Sequence, residues 1–110
     1  MPPPQMTAQT LKVLALMLED PTAEWYGFSL IEQTKIKSGT LYPILIRLEK
    51  AGWLDSHLEE IDPKVAGRPP RRLYSLTGEG ERTARAEIAA HLEALAPASR
   101  TLAPPRERIA

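Results

Sequence analysis

From Thr7 to Leu18 the apolar residues Leu11, Val13, Leu14, Leu16, Met17 and Leu18 cover more than one stripe of a helix. A helix that is apolar on several sides is buried on several sides, so the segment predicts a central helix, capped by Thr7 and ended by Asp20-Pro21. TAEWYGFSLIEQT reads as a short second helix that packs through Phe28, Leu30 and Ile31, with KIK as the turn out of it. In the third helix, Ser38 to Ala51, Leu41, Ile44, Leu45 and Leu48 recur at i, i+3, i+4, i+7 and define the inward face. Gly52 stops it as a C-cap glycine. A proline in a helix interior costs roughly 3 kcal/mol, and less where the first N–H groups lack partners anyway. Pro43 therefore predicts a slightly kinked first turn, the regular helix settling between Thr40 and Pro43.

Period-two patterning follows. WLDSHLEEI alternates loosely through Trp53, Leu58 and Ile61, and RLYSLT alternates with Leu73 and Leu76 out of phase with Tyr74. Pro63, Gly67, Pro69 and Pro70 make DPKVAGRPPR a loop, so the two strands pair back as a hairpin. Thr77 can cap a last helix, with Glu79 and Glu81 at its positive end. Ala84, Ile88, Leu92 and Leu95 recur at helical spacing until Pro97 closes it. Helix, helix, helix, strand, loop, strand, helix is a winged helix-turn-helix: mostly α, with a small two-stranded antiparallel wing. The expected organisation is a tail at 1–6, the winged domain at 7–77, a C-terminal helix at 78–96 and a second tail at 97–110.

Opposite the apolar face of the third helix lie Pro43, Arg47 and Lys50, with Thr40 and Ile46 to the sides and Tyr42 on the flank. A small, basic, hydroxyl-bearing face suits a helix that enters a major groove N-terminus first. The loop KVAGRPPRR adds Lys64, Arg68, Arg71 and Arg72, four positive charges within nine residues. A hairpin tip of this kind can follow a sugar-phosphate backbone or insert Arg68 into a minor groove.

Charge sharpens this picture. The whole chain is formally neutral, yet residues 35–72 hold eight bases against five acids, while residues 1–34 hold one Lys against four acids. Local potential, rather than total charge, makes a contact surface. The chain has no cysteine, which excludes disulfides and thiolate metal sites and fits a reducing compartment. No apolar run is long enough for a bilayer and MPPPQMT is not a secretory leader, so the expected location is the cytoplasm, without membrane attachment. His57 and His91 share no ligand spacing, and GEGE opens a helix rather than cradling a phosphate. No enzyme activity, metal or cofactor is expected.

YGFSLIEQT, SGTLYPILIRLEKAGWL and GRPPRRLYSLTGEG, in this order, resemble the PadR family of bacterial winged-helix transcriptional regulators over roughly residues 7–95. The resemblance implies a homodimer that represses by covering a double-stranded DNA operator. It places Ser38, Thr40, Tyr42, Pro43 and Arg47 where the reading helix meets DNA, between Lys37 and Lys50. It places Lys64 and Arg68 on the wing, Tyr26 on the backbone-facing start of the second helix, and Tyr74 under the wing. Trp53 stands where Leu is usual, and the link EQTKIK is short. A single helix follows the wing and residues 78–96 hold no aromatic, so a flat-ligand site does not carry over. A small-molecule effector stays open, with no residue to identify it.

Ile88, Leu92 and Leu95 form a stripe with no evident partner in the winged body, and the spare face of the first helix offers Leu11, Leu14 and Leu18. Pairing across a two-fold axis would bury both. The alternative to DNA binding is a winged-helix module that binds another protein, its basic wing mere surface.

Overall fold

The expected first helix forms over Ala8–Leu18 (α1), with the Thr7 hydroxyl accepting from the Thr10 amide at 3.1 Å. Val13, Leu14 and Met17 are buried, while Leu11, Leu16 and Leu18 are partly covered on other sides. α1 is thus the central rod that its many-sided apolar pattern requires. The computed structural model describes residues 4–102, so the outer parts of both expected tails lie outside the described residues. Within the N-terminal one, Met6 packs against the core.

The second element differs from its expectation. Trp25–Tyr26 is a two-residue strand (β1), and the helix starts only at Gly27, running to Thr34 (α2). A strand this short has no alternation to read; it forms because Trp25 and Tyr26 pair antiparallel with Tyr74 and Leu73. Leu30 is buried and Ile31 partly so, but Phe28, expected to pack, is 60% exposed. The turn into the next helix is built around buried Thr34. Its hydroxyl donates to the Leu30 carbonyl at 2.6 Å and accepts from the Ile36 amide at 3.2 Å, and Lys35 adopts a left-handed φ of 63°.

Ser38–Lys50 is helical throughout (α3), so the regular helix begins at Ser38, ahead of the Thr40 to Pro43 stretch where it was expected to settle. Pro43 is the sixth residue of the helix, early enough that the lost N–H rung falls near the N-terminal turn, where few amides have helical partners. Leu41, Ile44, Leu45 and Leu48 are all buried, as the spacing requires. At the far end the Trp53 amide donates to the Leu48 carbonyl and Gly52, at φ 83°, to that of Glu49, both at 3.0 Å. This closed turn satisfies the last carbonyls and needs a left-handed residue, hence glycine.

Leu54–Leu58 (β2) and Arg72–Leu76 (β3) pair antiparallel from Leu54↔Leu76 to Leu58↔Arg72. With β1 on its other edge, β3 is the middle strand of three, where two were expected. The expected loop between β2 and β3 contains one helical turn, Pro63–Ala66 (α4), capped by Asp62 Oδ1 on the Lys64 amide at 3.0 Å. Trp53, Leu54 and Tyr74 join α1, α2 and α3 in one core.

Gly78–Leu102 is the last helix (α5), capped by the Thr77 hydroxyl on the Gly80 amide at 2.8 Å. It runs past Pro97, which therefore does not close it; a proline removes one rung but need not end a helix already established before it. Ala84 is buried and Ile88 partly buried against the core, because α5 lies along α1 of the same chain. The C-terminal stripe thus has an intramolecular partner in its first half. Only Leu92 and Leu95, 63% and 62% exposed, remain outside.

Candidate nucleic-acid interface

Burying Leu41, Ile44, Leu45 and Leu48 forces the opposite side of α3 outward. Lys37, Ser38, Thr40, Tyr42, Pro43, Arg47 and Lys50 are all exposed. Lys37, Arg47 and Lys50 make no ion pair among the described residues. Ile46 is also exposed, an apolar member of an otherwise polar face. The Lys37 side chain caps no amide, so the positive end of the helix faces solvent beside Ser38 and Thr40.

Tyr42 is held by a gap in α2. A methyl group at Gly27 would overlap the Tyr42 ring, whose Cζ lies 2.7 Å from where that Cβ would be. Gly27 is therefore the seat on which the tyrosine rests. Tyr26, partly buried at the start of α2, stacks under the Arg71 guanidinium at 4.5 Å. Tyr26, Phe28, Tyr42, Arg71 and Arg72 surround a cleft of about 230 Å³. Tyr26 and Tyr42, assigned from different motifs, are thus brought together. Tyr74 lies beneath the wing as expected, 6% exposed, and burial pushes its phenol up.

Arg68 is placed differently from its expected role. Its Nη1 and Nη2 donate to the two Glu59 carboxylate oxygens at 2.6 and 3.2 Å, and the Arg71 amide donates to Oε1 at 2.9 Å. The guanidinium is occupied in bracing the wing rather than projecting into solvent. Arg68, then the Arg71 amide, hold the Glu59 carboxyl at about 2, well below its ordinary 4.5. A carboxylate depressed on folding stabilises the fold above its unfolded value and loses that contribution as pH falls toward the folded one. The Arg71 amide resonance is accordingly expected to titrate near the lower value, and Glu59→Gln to abolish that titration. A midpoint at 4.5 would mean that the brace does not form in solution. Lys64 stands exposed on α4 at the wing tip.

The surface expected for pairing needs a correction. Leu14 is wholly buried and Leu18 packs against the chain's own core, so neither offers a free face, while Ile88 is partly buried against that core. Leu11, Ile88, Leu92 and Leu95, with Lys12, Ala15 and His91, line an apolar groove of about 290 Å³ between α1 and α5.

Sequence patterning missed Phe28 as a site residue, and it placed Arg71 and Arg72 in the basic loop without assigning either a site of its own. The signal for the arginines was present in GRPPRRLY, but only the position of β1 shows which of them stands over Tyr26. His57 Nε2 meets Glu24 at 3.0 Å and His91 Nδ1 the Glu87 carbonyl at 2.8 Å. No group of three or more metal-ligating side chains occurs among the described residues. No helix among them is long and apolar enough to cross a membrane.

No curated protein sequence matches the chain. Among solved structures, a PadR-like transcription factor from Bacteroides fragilis is 28% identical, with 86% of this chain and 88% of that one covered at a TM-score of 0.66. The smu.1704 protein of Streptococcus mutans UA159 is 29% identical over 78% of this chain and 82% of its own, at a TM-score of 0.59. A PadR family transcription regulator from Clostridium difficile R20291 shares the fold at a TM-score of 0.71 and 19% identity, over 88% of this chain and all of its own. The family model "Transcriptional regulator PadR-like family" matches residues 13–86, which take in the second half of α1, α2, α3, the wing and the start of α5. With the winged fold and the exposed basic face of α3 already in place, the chain belongs to the PadR-like family of DNA-binding transcriptional regulators.

Proposed function

We propose that the protein is a cytoplasmic repressor that binds a palindromic or pseudopalindromic operator as a homodimer, inserting α3 of each protomer into the major groove. The observation that carries this reading is the exposed face of α3. Ser38, Thr40, Tyr42 and Arg47 are exposed there, Arg47 without an ion pair among the described residues, on a helix with an open N-terminus and a scaffold whose core fixes their direction. Hydroxyls and a guanidinium on such a face match the donor and acceptor pattern of base edges, while Lys37, Lys50 and Lys64 meet phosphates. The groove at Leu11, Leu92 and Leu95 supports pairing of two copies, which sets the separation of the reading helices. A small-molecule effector enters this reading only as a ligand that would alter that separation.

Selection of duplexes from a random pool tests it. Enriched sequences are expected to be inverted repeats with half-site centres about 34–36 Å, or 10–10.5 base pairs, apart, or a multiple of that. Arg47→Ala or Thr40→Ala is expected to blur discrimination by about 1–3 kcal/mol where a base is read directly. Enrichment of no sequence by the wild-type protein would contradict operator recognition.

A further inference from the structure

We propose that the cleft joining α2, α3 and β3 seats a phosphodiester of the DNA strand bordering the groove that α3 enters, with Arg71 as its principal cation. This rests on the DNA-binding reading and adds a site to it. The cleft is lined by Tyr26, Gly27, Phe28, Tyr42, Arg71 and Arg72. Tyr42 belongs both to the reading face of α3 and to this cleft, so a strand lying along one lies along the other.

Three features fit a sugar-phosphate link. First, the Arg71 guanidinium makes no direct ion pair among the described residues and rests on the Tyr26 ring at 4.5 Å. Its main chain is pinned by the Glu59 carboxylate at 2.9 Å, so the guanidinium is presented from a fixed base. A flat cation backed by an aromatic face is pre-ordered for two-pronged contact with phosphate oxygens. Second, Phe28 is 60% exposed at the rim, an apolar surface that a deoxyribose would cover. Third, the neighbouring cation differs in kind: Arg68 is committed to Glu59, so the wing charge free to meet a phosphate here is that of Arg71, with Arg72 beside it. Arg72 is partly tied, donating to the Ser56 hydroxyl at 3.0 Å. The start of α2, which no side chain caps, adds a favourable dipole but does not carry the assignment.

The test is the salt dependence of binding to a fluorescein-labelled duplex of mixed sequence. Removing one phosphate contact should flatten the log–log slope by about 0.9. Arg71→Ala is expected to flatten it by about that much per protomer and to weaken all sequences alike, whereas Arg71→Lys keeps the slope. Lys12→Ala, the same charge change on the α1–α5 side, is expected to leave the slope unchanged. The hydrogen bond that Arg71 gives to the brace comes from its main-chain amide, which the Ala variant keeps, so that variant should stay folded. A steep wild-type slope that Arg71→Ala leaves intact would overturn the cleft assignment and spare the DNA-binding reading. A flat wild-type slope would remove both.

Discussion

Leu92→Glu is expected to yield a folded monomer whose affinity for a two-half-site operator falls by about 10²–10⁴-fold, the drop that follows when a second, linked contact becomes independent. The expectation comes from where the chain leaves apolar surface uncovered. α5 spends Ala84 and Ile88 on its own protomer, then carries Leu92 and Leu95 beyond the winged body beside Leu11 and Ala15 of α1. Burying each such leucine against a second copy contributes about 1.5–3 kcal/mol. Placing an unpaired carboxylate there replaces that gain with a desolvation penalty. Because Leu92 is mostly exposed within the protomer, the substitution should leave the fold intact. Ile88→Glu is a poorer probe, since Ile88 packs on the core and its removal would confuse unfolding with dissociation. Sedimentation velocity with circular dichroism decides the matter: a native-like spectrum at half the wild-type mass is expected. A dimer persisting in Leu92→Glu would place the interface elsewhere.

The second large effect lies in the segment Thr77-Gly78-Glu79-Gly80, where α5 leaves the wing. Gly80 is helical, and helix propensity alone would favour alanine there by roughly 1 kcal/mol. Sterics oppose it more strongly. A Cβ on Gly80 would overlap the Trp53 carbonyl, which is backbone and has little room to move. That carbonyl accepts from the Thr77 amide at 3.0 Å and its hydroxyl at 3.3 Å, while the Trp53 amide closes the end of α3. Gly80→Ala must therefore lift α5 from its seat, and a destabilisation of about 1–3 kcal/mol or more is expected. At this size each kcal/mol lowers the melting temperature by about 4–8 °C. Gly78→Ala is the matched control. Its Cβ would meet only the Arg82 Nη1 at 3.5 Å, an ordinary contact with a mobile side-chain end, so little change is expected. Thermal melts of both variants at one protein concentration, as the proposed pairing requires, would show the difference. Equal melting temperatures for the two would mean that the close approach at Gly80 is not present in solution.

What was legible in the sequence follows from the range over which each signal acts. The burial of Leu41, Ile44, Leu45 and Leu48 is a property of one helix, written in its spacing, so the outward face of α3 could be read directly. The Thr77 cap and the Gly52 stop are equally local. β1 was not legible, because two residues carry no period and its existence depends on Leu73 and Tyr74 arriving from far along the chain. The same long-range pairing puts Arg71 over Tyr26 and leaves Phe28 at the surface, where its hydrophobicity suggested burial. The loop's own composition does not show that Arg68 is captured, because the acid that holds it, Glu59, sits across that loop. Local charge density locates a basic wing without saying which arginine remains available. The C-terminal stripe is divided between core and surface for a related reason. Periodicity shows that Ile88, Leu92 and Leu95 share a face, but how far α1 reaches along that face is a tertiary fact.

Whether the outward face of α3 reads DNA is decided by binding to an enriched duplex and to its scrambled counterpart across a range of salt, for the wild type and for Arg47→Ala. Wild-type affinity is expected to fall steeply and linearly on a log–log scale for both duplexes. The wild type should clearly prefer the enriched duplex, and that preference should be much reduced in Arg47→Ala. Binding that is indifferent to salt and to sequence, and unaltered by the substitution, would contradict DNA reading by this helix.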